Sequence, residues 1–155
     1  MATFPTLVGR SLEGREIRIP EDLPKGPRIL ILAFRRWHTR WIETWEGPLK
    51  EHQARCPSLS VWEVPALSRR YLPGRRFIDG GMRAGIPDAS AREHTLTVYT
   101  NLSSLAQEIG LPSLDTIYVL LLDSNGVVVW RGSGAADQTQ LDLFRTAFDA
   151  LACDG

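Results

Sequence analysis

Cysteine is scarce in this sequence, which contains only Cys56 and Cys153 among its 155 residues. Two cysteines are too few for a dense disulfide framework or a four-cysteine zinc site. Long apolar runs are also missing, since the run 117–122 is far shorter than the roughly 20 residues that cross a bilayer. The amino terminus lacks a basic stretch followed by an apolar core, so no signal peptide is evident. These absences predict a soluble, cytoplasmic protein with no transmembrane segment, built as one domain over residues 1–155.

Net charge is absent as well, with 18 basic and 18 acidic residues, which removes the simplest argument for nucleic-acid binding. The balance hides an asymmetry. Residues 1–94 hold 16 Lys and Arg against 11 Asp and Glu, whereas residues 95–155 hold 2 against 7. Arginine supplies 16 of the 18 basic residues. Because guanidinium groups pair with carboxylates and phosphates, this excess favours an arginine-lined site for an anion or an acidic partner. Compositional bias and a solvated surface are the alternative explanation.

Apolar periodicity and turn signals divide the chain into alternating strands and helices. The predicted order is a hairpin turning at 13–14, a strand at 28–34, a helix at 38–56, a strand at 59–64, an irregular helical stretch at 66–87, a strand at 95–100, a helix at 102–109, a hairpin with arms 116–122 and 127–131, and a final helix at 137–152. This order predicts an α/β protein, a three-layer α/β/α sandwich with a central mixed sheet. Residues 1–27 form its hairpin lead-in and residues 28–152 its core.

Glycine and proline pairs mark expected irregularities within these helices. A Gly-Pro pair at 47–48 should kink or interrupt the helix 38–56, because proline lacks the backbone donor and clashes with the preceding turn. A Pro-Gly pair at 73–74 and a Gly-Gly pair at 80–81 should break any long helix in the stretch 66–87.

The segments FPTLVGRSLEGREIRIPEDLPKGPRILILAF (4–34) and DTIYVLLLDSNGVVVWRGSG (115–134) resemble the redoxin branch of thioredoxin-like proteins in their order and spacing. A narrower resemblance, to the mitochondrial ATP synthase assembly factor family and its bacterial relatives, rests on three segments. These are ILAFRRWHTRW (31–41), GGMRAGIPDASAREHTLTVYTNL (80–102) and IYVLLLDSNGVVVWRGSG (117–134). That family implies a thioredoxin-like fold without redox cysteines, which assists biogenesis of a membrane ATPase by binding. It implies a membrane ATPase subunit as partner and the mitochondrial matrix as an alternative location.

Thiol chemistry is not expected where the first core strand meets its helix. A thioredoxin-type enzyme needs a thiolate there, but residues 35–43 contain no cysteine, and Thr39 or Arg40 stands in its place. The segment 114–118 also lacks the proline that redox-active members hold in the cis form beside their thiols. Cys56 should end the helix 38–56 far from this junction as an inert thiol, and Cys153 lies near the carboxyl terminus. The sequence leaves a disulfide between them open.

Two further patterns carry little chemistry of their own. His38 and His52 lie about 20 Å apart along an intact helix, and His94 is in another segment, so no metal and no cofactor is predicted. A tryptophan stripe with a spacing of four residues is expected to pack in the core. Any exposed part of it would instead be a patch for binding a partner. The stripe consists of Trp37, Trp41 and Trp45.

The arginines supply the candidate site. Ligands of open α/β sheets bind beyond the carboxyl ends of the strands, where a helix N-terminus also favours negative charge. We therefore expect two clusters to meet at this end and to bind an acidic segment of a protein partner, or a small anion. The first cluster consists of Arg35, Arg36 and Arg40, and the second lies in the stretch 66–87 and consists of Arg69, Arg70, Arg75, Arg76 and Arg83. The candidate site residues are Arg35, Arg36, His38, Thr39, Arg40, Asp79, Gly81, Met82 and Arg83. The alternative is that Arg83 or Arg40 pairs internally with Asp79 or Glu43.

The sequence thus predicts a redox-inactive thioredoxin-fold protein that acts by protein binding, with no catalytic residue. Two alternatives stay open. One is a thiol redoxin or peroxiredoxin-like enzyme that uses Cys56 or Cys153, and the other is a domain that binds small anions through its arginines.

Overall fold

A computed structural model describes residues 2–151 and 153. In this part of the chain the strands are β1 (Leu7–Ser11), β2 (Glu16–Ile19), β3 (Arg28–Ala33), β4 (Ser60–Ser68), β5 (Leu96–Thr100), β6 (Tyr118–Leu122) and β7 (Val128–Ser133). The helices are α1 (Thr39–Arg55), α2 (Arg75–Gly85), α3 (Ala89–Glu93), α4 (Leu102–Ile109) and α5 (Gln138–Asp149), with short 3-10 helices at Arg36–His38 and Arg69–Gly74. Within the described residues, no helix combines the length and apolar character needed to cross a membrane.

The strands form one mixed sheet in the order β2-β1-β5-β4-β3-β6-β7. Strands β3, β4 and β5 run parallel, and the hairpins β1–β2 and β6–β7 are antiparallel. All six residues of β3 are buried, as its continuous apolar run predicts for a strand covered on both faces. The mixed α/β architecture and the amino-terminal hairpin are therefore confirmed.

Each face of the sheet has its own apolar core. On one face Leu30 packs with Leu105 of α4 and with the lead-in segment. On the other face Ile31 packs with Trp45 of α1 and Phe144 of α5. Side chains alternate between the two faces of a strand, so helices on both sides give the three-layer arrangement that the sequence predicts.

Helix α2 lies on the same face as α1. Side chains of register partners on parallel strands lie on the same face of the sheet, and Leu67 of β4 is the register partner of Tyr99 of β5. Val61, which has the same alternation as Leu67, packs into the α1 core. The Tyr99 hydroxyl donates a hydrogen bond of 2.8 Å to Asp79 of α2. Helix α2 therefore covers β5 on the α1 side of the sheet.

Two expected breaks do not interrupt their helices. Pro48 lies inside α1, which is anchored by four buried side chains, namely Ile42, Trp45, Leu49 and His52. Gly80 and Gly81 lie inside α2 instead of ending it. Glycine lowers helix propensity by about 1 kcal/mol per residue relative to alanine, which weakens a helix without ending it. The break expected at 73–74 is present, since a 3-10 helix ends at Gly74 and α2 begins at Arg75.

A disulfide joins Cys56, just after α1, to Cys153 near the carboxyl terminus, with a Cα–Cα distance of 5.7 Å. The sequence left this bond open, and the expectation of an inert free thiol at Cys56 is wrong. Cys56 is buried and Cys153 is exposed. The Ser58 hydroxyl donates to the Cys153 carbonyl at 3.0 Å, so a hydrogen bond supports the same connection.

Candidate functional site

The junction between β3 and α1 is organised around His38. This residue ends a 3-10 turn and immediately precedes α1, and its side chain is fully buried. The backbone N–H of Phe34 donates to His38 Nδ1 at 3.1 Å, which ties the end of β3 to the start of the helix. With Nδ1 as acceptor, the proton of the neutral ring lies on Nε2.

The surroundings of His38 favour the neutral ring. Its Nε2 atom is buried and has no hydrogen-bond partner among the described residues. Trp41 stacks on the ring with centroids 5.3 Å apart, and Trp37 packs edge-on at 4.6 Å. Burial lowers the pKa of His38, and the Arg35 charge lowers it further, against the raising effect of Asp115. A neutral, enclosed imidazole positions the turn, whereas its exposed neighbours are available to a ligand.

Those neighbours carry unpaired positive charge. Arg36 and Arg40 are exposed and form no ion pair within residues 2–151 and 153. Arg35 pairs with Asp115 at 3.1 Å, but both side chains are more than half exposed, so the pair contributes little stability. The Thr39 hydroxyl donates to the Arg36 carbonyl at 3.0 Å, which leaves no activating base on this hydroxyl. The junction therefore offers two free guanidinium groups at a helix N-terminus.

The tryptophan stripe runs from the core to this surface. Trp45 is fully buried and donates through Nε1 to the Gly134 carbonyl at 2.9 Å. Trp41 is half-buried, and Trp37 has half of its surface exposed. Core packing thus explains the inner end of the stripe, and the outer end adds an aromatic ring beside the free arginines.

The second cluster does not meet the first at Arg83. The Arg83 guanidinium donates to the Leu12 carbonyl at 3.0 Å and pairs with Glu13 at 3.5 Å, next to the amino end of β5. The junction follows the carboxyl end of β3, which is parallel to β4 and β5, so it lies at the opposite edge of the sheet. The five residues of β5 alone span about 16 Å. The expectation that both clusters meet is therefore wrong for Arg83.

Asp79 has a structural environment of its own. It accepts hydrogen bonds from the Tyr99 hydroxyl at 2.8 Å and from the Thr97 hydroxyl at 3.3 Å. Burial and this carboxylate raise the pKa of Tyr99 well above its usual value. The alternative that Arg83 pairs internally holds with Glu13 as its partner instead of Asp79, and the described residues show no ion pair between Arg40 and Glu43.

The remaining predicted residues lie on α2, with Gly81 exposed and Met82 half-buried. A Cβ atom at Gly81 would meet nothing within 4 Å, so space does not require glycine there. Arg83 is thus separated from the junction, whereas Arg69 and Arg70 follow the carboxyl end of β4, at the same end of the sheet as the junction.

Sequence reasoning missed the acceptor that fixes the second cluster. Glu13 pairs with Arg83 and also with Arg92, whose side chain donates to it. The hydrogen bond from Arg92 lowers the pKa of Glu13 most strongly. The sequence signal was only a turn at 13–14, and nothing local to it indicates partners some 70 to 80 residues away.

The cysteines lie far from the junction. Helix α1 separates them from it, and its 17 residues span about 25 Å. Both sulfur atoms are joined in the disulfide, so neither cysteine is a free thiol. Among the described residues, no group of three His, Cys, Asp or Glu side chains has an arrangement that would hold a metal ion.

Comparison with solved structures identifies the fold. The chain is similar to BsSco, a member of the Sco family of cytochrome c oxidase assembly proteins in which a disulfide switch was identified (11% identity, TM-score 0.60, 96% of this chain and 93% of that one). It is similar to the exposed lipoprotein thioredoxin Etrx1 of Streptococcus pneumoniae (13%, 0.59, 94% and 99%). It is also similar to a protein of Chlorobium tepidum that is described as the thiol:disulfide interchange protein DsbE (12%, 0.55, 96% and 94%).

These similarities show a thioredoxin-like fold, and at such low identity they show the fold alone. No family model matches the chain, and no curated protein matches it in sequence. The resemblance to ATP synthase assembly factors is not shown by these comparisons.

Proposed function

We propose that this protein binds an acidic segment of a protein partner through the β3–α1 junction and performs no thiol chemistry there. The observation that carries the proposal is the pair of exposed, unpaired guanidinium groups of Arg36 and Arg40 beside the half-exposed ring of Trp37. Arginine and tryptophan are enriched among residues that dominate binding energies at protein interfaces. The helix N-terminus adds positive potential for a carboxylate.

The partner's identity belongs to the proposal as well. The resemblance of residues 31–41, 80–102 and 117–134 to ATP synthase assembly factors favours a membrane ATPase subunit. BsSco belongs to a family of cytochrome c oxidase assembly proteins, but at 11% identity this similarity shows only the fold, so the assembly role depends on the sequence resemblance.

A defined acidic probe tests the binding site. Fluorescence anisotropy with a labelled octa-glutamate peptide should show binding that weakens about tenfold in Arg36→Gln/Arg40→Gln, because each lost charge pair contributes up to about 1 kcal/mol. The matched control is Arg15→Gln/Arg145→Gln, which removes the same charge from two exposed arginines elsewhere. Equal weakening in the control would show a response to net charge only and would contradict the proposal.

A small-anion function would use the same groups. Inorganic phosphate and sulfate distinguish it, because a small-anion domain should gain thermal stability with millimolar phosphate and release the peptide in competition with it. A protein-binding junction should hold the peptide more tightly than either ion, since Trp37 adds contact area that a small ion cannot use.

The disulfide favours a second candidate, thiol exchange through Cys56 and Cys153. A substrate thiolate would attack the exposed Cys153 sulfur, form a mixed disulfide with it and release Cys56 as thiolate. Cys56 is buried and follows the C-terminus of α1, where the helix dipole disfavours an anion, so it is a poor leaving group. Cysteine-dependent insulin reduction or peroxide consumption, absent in Cys56→Ser/Cys153→Ser, would replace the binding proposal with this one.

The compartment is the last part of the proposal. The sequence predicts the cytoplasm, with the mitochondrial matrix as alternative. Disulfides persist mainly in oxidising compartments, so the Cys56–Cys153 bond favours a location outside the reducing cytosol. Alkylation of thiols in intact cells distinguishes the locations, because a cytosolic protein would take up label at both cysteines.

A further inference from the structure

We propose that the segment 69–85, comprising a 3-10 helix and α2, is a second interaction surface that docks on an anionic lipid membrane. None of the residues of this segment is buried. Phe77 has 88% of its surface exposed, which is the largest fraction among the exposed large hydrophobic residues of the described chain. Tyr71 and Leu72 of the same segment are also exposed, so three of the six exposed large hydrophobic side chains of the described chain belong to residues 69–85.

Helical geometry explains why the Phe77 ring stays uncovered. Ile78 and Met82, four residues apart, form the inner face of α2 and are half-buried. Phe77 lies on the outer face, where its neighbours four and seven residues on are Gly81 and Ala84. Neither side chain is large enough to cover an aromatic ring. The helix therefore presents Phe77 outward on a nearly bare surface.

Charge on the outer side of this segment has one sign. Arg69, Arg70 and Arg76 are exposed and form no ion pair within the described residues. The one acid of the segment, Asp79, is turned inward to Tyr99. Arg83 is occupied by Glu13 and does not contribute. Within the segment the exposed charge is accordingly positive, whereas Glu16 of β2 lines a cavity next to Leu72.

Lipid fits this surface better than an acidic protein does. A protein partner reaches high affinity by enclosing an aromatic anchor in a complementary pocket, whereas Phe77 lies on the outer face of α2 with Gly81 and Ala84 as its neighbours on that face. A bilayer interface needs no shape complementarity. It accepts aromatic side chains at the headgroup level and attracts arginine through anionic lipids.

Vesicle sedimentation tests the proposal. The full chain, with its disulfide intact, should sediment with phosphatidylcholine vesicles containing one quarter phosphatidylglycerol, and not with pure phosphatidylcholine. Each arginine near an anionic surface contributes roughly fivefold, so Arg69→Gln/Arg70→Gln/Arg76→Gln should weaken partitioning about 100-fold. Phe77→Ser should weaken it about tenfold through lost apolar burial. Since all four side chains are exposed, circular dichroism should show unchanged folding.

Two controls separate this surface from others. Leu143→Ser removes an exposed hydrophobic side chain from α5 and should leave sedimentation unchanged. Arg145→Gln removes an exposed arginine from the same helix and should also leave it unchanged. The proposal is overturned if the wild-type chain does not sediment with anionic vesicles, or if it sediments equally with neutral ones. It is also overturned if either control variant loses as much vesicle binding as Phe77→Ser. A further contrary result would be a chain that binds octa-glutamate through Arg69, Arg70 and Arg76 but does not bind vesicles.

Discussion

Removing the disulfide should destabilise the protein without disturbing the junction. The bond closes a loop with a sequence separation of 97 residues, and loop entropy then gives an upper figure of about 5 kcal/mol for its effect on the unfolded chain. Native disulfides typically contribute about 2–5 kcal/mol when removed. We therefore expect a loss of about 3 kcal/mol. Cys153→Ser is the best variant, because Cys153 is exposed whereas Cys56 belongs to the core beneath α1 and α5.

Urea unfolding followed by tryptophan fluorescence measures this loss, since buried Trp45 reports on the core. The thermal midpoint should fall by roughly 10 °C, given about 2–4 °C per kcal/mol for a chain of this size. Dithiothreitol should bring the wild-type chain close to the variant and should leave Cys153→Ser itself unchanged. Octa-glutamate affinity should be unaltered, because α1 separates the disulfide from the junction by about 25 Å.

A small difference in the free energy of unfolding between the two proteins would refute this reasoning. If oxidised wild-type protein and Cys153→Ser differ by less than about 1 kcal/mol, the loop-entropy argument does not apply to this chain. A large effect of dithiothreitol on Cys153→Ser would show that the reductant acts elsewhere.

Three other changes follow from particular contacts. Arg28 is buried and donates to the carbonyls of Pro20 and Asp123, so Arg28→Leu should lower the free energy of unfolding by about 2–4 kcal/mol in urea titration. Burial lowers the pKa of folded His38 below the unfolded value near 6.5, so protons bind the unfolded chain more tightly. Stability is then complete above about pH 6.5 and falls as the pH drops below it. His38→Asn, which keeps an acceptor for its backbone partner, should reduce that slope. Arg83→Gln should lower the thermal midpoint and leave octa-glutamate affinity unchanged, because this guanidinium is held internally.

Local signals in the sequence predict the helices and strands well. They do not show which residues far apart in the sequence come into contact. The run 28–34 and the turn at 123–126 specify their strands through neighbouring residues, and Asp137 caps α5 by accepting from the backbone of Gln140. The charge pattern shows that arginine is abundant but not which acceptor each side chain meets. The acceptor of Arg83 is Glu13, which lies 70 residues away in the sequence, and periodicity gives no information at that separation. The disulfide escaped prediction for the same reason.

The amino terminus of α1 lacks the capping that three other helices have. Helices α3, α4 and α5 are preceded by the N-cap residues Asp88, Asn101 and Asp137. The side chains of these residues accept hydrogen bonds from backbone N–H groups of the first turn. Helix α1 has no capping side chain, with Arg40 in its first turn and Arg36 just before it, and α2 is likewise uncapped and begins with two arginines. A cation near a helix N-terminus costs about 0.3–1 kcal/mol. Sequences depart from local consistency in this way mainly at functional sites. A carboxylate from a partner would supply the negative charge that α1 lacks, which is why the junction is the better candidate for binding than the arginines that already have internal partners.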